Sequence, residues 1–199
     1  MPKRVLPVLL VLPLAAAAEV ICALGPGASS YNPGEDQRPT ADAMELAGRA
    51  NTAVKTICGT NCPIAAMFRN TTAANAMLIA NAGEAKLVYA PKFFDSVYDA
   101  FGDGGILGVV AHILGHALDN VLGAAWVKSS WPPELRADAW AGCTLARAGL
   151  SPDELEGAVG ALAKYPSPTQ PVWSERLPIL RSGFSQCGGD AAKFGAVGR

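Results

Sequence analysis

The chain has 199 residues and two histidines, His112 and His116, which stand four apart. Residues at i and i+4 of a helix project from one face, a turn apart. Both imidazoles can therefore reach a single ion at about 2.0 to 2.1 Å from each ligating nitrogen, as zinc requires. The surrounding run, Val109-Val110-Ala111-His112-Ile113-Leu114-Gly115-His116-Ala117-Leu118, is strongly apolar. The same spacing also fits two core histidines satisfied by hydrogen bonds. Zinc needs a third protein ligand at a minimum, and the candidate is Glu134. Asp138 lies one turn later on the same helical face. One carboxylate can bind the metal while the other accepts a hydrogen bond from the second nitrogen of a ligand histidine and fixes its tautomer. The alternative is a first-turn glutamate that complements the helix dipole, with Asp138 paired to Arg136 or another cation.

These residues must be carried by helices, and the sequence marks where the helices start and stop. Thr40 caps a helix running to about Ile57, with Met44, Ala47, Val54 and Ile57 on an apolar stripe. Helices are then predicted over 91–100, 104–122, 133–148, 151–164 and 173–181. Pro132 and Pro133 suit a first helical turn, Gly149 a helix stop, and Ser151 with Glu154 a capping box. Between the first helix and the rest, 64–68, 76–80 and 86–90 are short apolar segments separated by turn-prone residues. They read as a small sheet ending in a hairpin with Asn81-Ala82-Gly83-Glu84 as its turn. The fold class is α+β, a mainly helical single domain with a small sheet before the histidine helix.

Half of the residues are hydrophobic and 17% are charged, with a formal net charge of -1. That composition supports a packed core and offers no basic surface for phosphates, so nucleic acid is excluded as an expected partner. Lys3-Arg4, the apolar run from Val5 to Leu14 and Ala15-Ala16-Ala17-Ala18 follow one another in the order of a secretory signal. Residues 1–23 are assigned to that signal, 24–39 to a flexible leader and 40–199 to the domain. The greasy run is short and broken by Pro7 and Pro13, so no stable membrane span is expected once the signal is cleaved. The expected location is secreted or periplasmic. Cleavage after Ala18 would leave Cys22 in the chain, whereas cleavage after Ala23 leaves the even set Cys58, Cys62, Cys143 and Cys187. Four cysteines pair in three ways, and proximity favours Cys58 with Cys62 and Cys143 with Cys187. A zinc site built from these four is the rival reading, disfavoured by the wide second spacing. Asn70-Thr71-Thr72 is formally an N-glycosylation acceptor.

The run from Gly108 to Leu118 resembles the HExxH helix of gluzincin metallopeptidases, and Glu134-Leu135-Arg136-Ala137-Asp138-Ala139-Trp140-Ala141-Gly142 resembles their ExxxD helix. Asn75-Ala76-Met77, with the hairpin into Lys86-Leu87-Val88-Tyr89, is similar to the strand pair that precedes the zinc helix. Leu145-Ala146-Arg147-Ala148-Gly149 continues the second helix as in relatives. Ser167-Pro168-Thr169-Gln170-Pro171 followed by Glu175-Arg176 resembles their closing segment. The resemblance implies His112, His116 and Glu134 as zinc ligands and Asp138 as the partner behind them. It also implies that the strand over 86–90 is an edge able to pair with an extended peptide.

Two positions depart from that pattern. Ile113 stands where the family has its glutamate, the general base that takes a proton from water and returns it to the leaving amine, and isoleucine does neither. Gln170 stands where the family has a closing histidine. Asp119, two turns after His112, is a conceivable base but lies past His116 rather than between the ligands. The expected function is an exported zinc-binding metallopeptidase-like protein with peptidase activity impaired or lost at Ile113. The alternatives are an active zinc metallopeptidase with another base, acting on a peptide or protein, and a metal-free protein that binds a peptide or partner on the same fold.

Overall fold

The structure, a computed structural model, describes residues 19–24, 30–59, 62, 66–81 and 84–196. Four strands form one sheet: β1 Glu19–Leu24, β2 Ala66–Arg69, β3 Ala76–Asn81 and β4 Glu84–Tyr89. Their order is β1-β3-β4-β2. The β1/β3 and β3/β4 pairs are antiparallel, and β2 runs parallel to β4. Among the described residues there are five α-helices: α1 Ala41–Cys58, between β1 and β2, and, after β4, α2 Pro91–Val121, α3 Pro133–Arg147, α4 Pro152–Lys164 and α5 Trp173–Gln186. The molecule is a mainly helical α+β domain, as the pattern of periods predicts.

The helix signals act where the sequence places them. Thr40 accepts the Ala43 N–H to open α1, Ser151 and Glu154 close a capping box on α4, and Gly149, with φ of 66°, stops the chain after α3. The two helices expected over 91–100 and 104–122 run together as α2, bent at Gly102, whose φ of 59° and ψ of -157° lie outside the helical region. By length and composition α2 could cross a bilayer, yet 83% of its most apolar window is buried inside the fold. It is the central helix of the core. Helix α5 extends past its expected end at 181 to Gln186, because Leu180, Gly183 and Phe184 are buried and Cys187 is joined to Cys143 of α3.

Both disulfides have the expected partners, Cys58 with Cys62 and Cys143 with Cys187, with Cα atoms 5.3 and 5.0 Å apart. Such bonds belong to an oxidising compartment.

The sheet differs from the sequence expectation in three respects. First, β4 is not an edge: β3 lies on one side of it and β2 on the other. Its backbone groups are taken by neighbours, so a peptide cannot add to the strand over 86–90. Second, Glu19–Leu24, which spans the end of the 1–23 stretch assigned to the export signal and the first residue of the leader, is a strand that pairs with β3 from Glu19↔Ala80 to Leu24↔Ala76. Third, residues 30–39 of the expected leader are tied to the sheet. Gln37 bridges Arg69, Asp36 pairs with Lys86, and the Asn70 amide donates to Asn32 O and Asp36 Oδ1, both at 2.8 Å. Tyr31 packs with Phe68 on Met77, Ile79 and Val88. Ala76, Leu78, Leu87 and Tyr89 instead join the helical core. Both faces are apolar, so the strands alternate in which layer they feed rather than in polarity. Asn70 is 1% exposed, which closes the glycosylation triplet to modification in the folded chain. Residues 1–18 and 25–29 of the signal and leader, residues 64 and 65 of the first expected strand, and residues 82 and 83 of the hairpin turn lie outside the described residues.

If β1 is an integral strand, a chain beginning at Gly25 melts at least about 3 °C below one beginning at Glu19, the shift that roughly 1 kcal/mol produces in a domain of this size. Calorimetry of the two truncations checks this. Melting points within about 1 °C would show that the strand adds nothing.

Candidate metal centre

The second half of α2 carries His112 and His116, and the first two turns of α3 carry Glu134 and Asp138. All four are buried, at 0%, 4%, 6% and 0% exposed. The two helices can bring them together because Gly115 has no side chain. A Cβ there would lie 2.3 Å from Ala137 O, so any larger residue would push α3 away from the histidine helix. Gly115 and Ala137 are the sequence neighbours of His116 and Asp138.

At this closest approach, Nε2 of His112 lies 3.1 Å and Nε2 of His116 lies 3.4 Å from Oε2 of Glu134. One donor atom from each of the three residues falls within 4.8 Å of the others, so the group could hold a metal ion. Two donors each bound at about 2.0 to 2.1 Å to a tetrahedral ion stand roughly 3.3 Å apart. The separations to Glu134 fit that figure.

Asp138 supplies the support behind the histidine. Its Oδ1 accepts Nδ1–H of His112 at 2.9 Å, which turns Nε2 toward Glu134. Arg176 of α5 then matches its charge, donating through Nε to Oδ2 at 2.8 Å and through Nη2 to Oδ1 at 2.9 Å. A third donor of Arg176 reaches Leu162 O of α4 at 3.0 Å, and Trp173 lies over the guanidinium at 5.2 Å. Burial pushes the Asp138 carboxyl up, but His112 and Arg176 outweigh it and hold the group below its ordinary value.

Glu134 is placed differently. Among the described residues its ion-pair partners are the two histidines, with no lysine or arginine. Neutral donors complete its shell: Thr169 Oγ1 at 3.0 Å and Ser167 Oγ at 3.5 Å to Oε1, and Gln170 Nε2 at 3.2 Å to Oε2. Burial again pushes this carboxyl up, and hydrogen bonding and charge from His112 and His116 reverse the effect, leaving it well below the usual carboxylate range. In the neutral imidazole with Nδ1–H on Asp138, the Nε2 and Oε2 lone pairs stand face to face at 3.1 Å. They repel unless a proton or a metal cation is shared between them.

No family model, curated protein or solved structure matches the chain. What the site can do follows from its own donors. Two imidazoles and a carboxylate are a donor set suited to a divalent transition metal.

Of the positions singled out in the sequence, His112, His116, Glu134 and Asp138 are brought together. Asp138 pairs with a cation other than Arg136, which instead binds Asp119 Oδ2 at 2.7 Å. That ion pair engages the Asp119 carboxylate with a cation of α3. Ile113 is 0% exposed and belongs to the hydrophobic core. Cys58, Cys62, Cys143 and Cys187 form disulfides, so none of these four offers a thiolate to a metal. Arg176 and the contacts of Ser167, Thr169 and Gln170 were not assigned roles from sequence. Their one signal is the resemblance of 167–171 and Glu175-Arg176 to a family's closing segment.

Replacing Arg176 by leucine strands the Asp138 carboxylate and costs about 3 to 5 kcal/mol of stability, the usual penalty for breaking a buried pair. Urea unfolding measures it. A loss below about 1 kcal/mol would mean that His112 alone neutralises Asp138.

Proposed function

We propose that the protein is an exported zinc-binding member of the gluzincin-like metallopeptidase group, with peptidase activity impaired or lost at Ile113. The observation that supports the metal is the charge balance of the buried site. Asp138 has an arginine, Arg176, whereas the ion-pair partners of Glu134 among the described residues are two imidazoles, which carry charge only when protonated. A cation held by His112, His116 and Glu134 compensates that carboxylate and relieves the facing lone pairs. Zinc suits the nitrogen and oxygen donors and their spacing. Export is supported by the two disulfides together with the basic, apolar and small-residue order of the first residues.

When bound, zinc supplies a Lewis acid that polarises a carbonyl and acidifies water. Asp138 orients His112 through Nδ1 and is itself held by Arg176, so the ligand face of the imidazole is set before any ion arrives. No residue at position 113 moves a proton. The neighbouring carboxylates are committed elsewhere: Glu134 to the ligand set, Asp138 to Arg176 and His112, Asp119 to Arg136. General acid-base help is typically worth about 100-fold to 10,000-fold. Its absence here is the reason to expect weak hydrolysis or none.

Protein dialysed against chelator and reloaded with zinc retains about one zinc per chain by elemental analysis, and His116→Ala abolishes retention. Fewer than about 0.2 zinc per chain, unchanged in His116→Ala, would sink the metal reading.

Ile113→Glu gains chelator-sensitive cleavage of a casein-like substrate, at least about 100-fold above the unaltered chain. Ile113→Gln, which tests tolerance of a polar group at this buried position, gains none. Equal cleavage by the unaltered chain and Ile113→Glu would point to an active enzyme with another base.

A further inference from the structure

The side chain of Gln170 sits on the ligand atoms themselves. Its Nε2 is 2.9 Å from Nε2 of His112 and 3.2 Å from Oε2 of Glu134. Its Oε1 accepts the Ser167 backbone N–H at 2.9 Å. A backbone N–H can only donate, so the amide oxygen must face Ser167 and the NH2 group must face the ligands. When His112 is neutral and donates Nδ1–H to Asp138, its Nε2 offers a lone pair to the Gln170 amide. The two N–H bonds of one carboxamide thus end on the two lone pairs that a cation would need.

We propose that Gln170 sets the metal affinity of this site as a hydrogen-bonded stopper, competing with the cation for His112 and Glu134. The proposal rests on the reading of His112, His116 and Glu134 as a metal site. A lone pair cannot serve an N–H donor and a metal at once, so each ion bound displaces the Gln170 amide from both atoms. Turning the carboxamide over would offer its oxygen to the ion, but it would also set the NH2 group against the Ser167 N–H, donor against donor. Gln170 is therefore a competitor rather than a fourth ligand. Ser167 and Thr169 bind Oε1 of Glu134, the other oxygen, and stay compatible with a metal on Oε2. Pro166, Pro168 and Pro171 stiffen the backbone around them by fixing φ. The exchange is thereby confined to one side chain. The amide holds apart two groups that would otherwise repel, and it yields to a ligand that does so better.

The test is zinc titration against a chromophoric chelator with the full chain, Gln170→Ala, Gln170→Ser and His116→Ala. Both Gln170 variants are expected to bind zinc about tenfold more tightly, the worth of about one net hydrogen bond. His116→Ala binds none. A second readout is melting. Chelator-treated Gln170→Ala melts below the chelator-treated parent chain, and its rise on adding zinc is the larger of the two. Zinc binding by the parent chain that is lost in His116→Ala, but unchanged or weakened in both Gln170 variants, overturns the stopper and leaves the metal site standing. No zinc binding by any of the four overturns both.

Discussion

Asp138 is fully buried, and three helices besides its own must be in place for that to be tolerable. An isolated carboxylate in an apolar interior is prohibitively costly, so α5 has to deliver Arg176 to one side of it and α2 has to deliver His112 to the other. Arg176 in turn is anchored by Leu162 O at the end of α4. One charge therefore fixes the relative placement of α2, α3, α4 and α5. The ligand face of His112 is a consequence of that arrangement, since the imidazole has only one nitrogen left to offer.

Such a network works only if the helix axes come close enough for short side chains to bridge them. The contacts of α3 with α2 and α5 are built on glycine. Gly115 meets Ala137 across α2 and α3, while Gly142 and Gly183 meet Leu180 and Ala139 across α3 and α5. In each case an added Cβ would lie 1.9 to 2.3 Å from a carbonyl oxygen, well inside contact. The Cys143–Cys187 bridge then secures the α3/α5 contact at its far end. Electrostatics at one end of α3 and covalent linkage at the other hold the same pair of helices, with close backbone packing between them.

What the sequence shows of this follows the range of each interaction. Helix starts and stops depend on residues within one turn, and Thr40, Ser151, Glu154 and Gly149 act as local rules require. The histidine pair and the Glu134/Asp138 pair are also legible, because helical spacing alone puts each pair on one face. The pairing between them needs the helix approach at Gly115, which a local pattern does not encode. Arg176 is harder still. It lies 38 residues from Asp138, and a sequence gives no sign that an arginine is buried. The sheet departs from the sequence pattern for a related reason. Strand order is a long-range property, and nothing local in 86–90 signals that β2 lies parallel beside β4. Residues 30–39 have the composition of a free leader, yet Tyr31, Asp36 and Gln37 each find a partner on the sheet.

The site separates two properties that usually travel together. Ligation needs donors at fixed separations, and these come from the architecture: Gly115, Asp138 and Arg176 set them, and none of them takes part in chemistry. Proton transfer needs a titratable group free to exchange its proton, and that depends on one side chain. Ile113 is buried in the core with its helix intact around it, so an apolar residue here costs the fold nothing. An isoleucine side chain makes no hydrogen bond, and the side-chain bonds described for His112 and Glu134 run to Asp138, Thr169 and Gln170. The architecture that sets the donor separations is thus distinct from the single side chain on which proton transfer would depend.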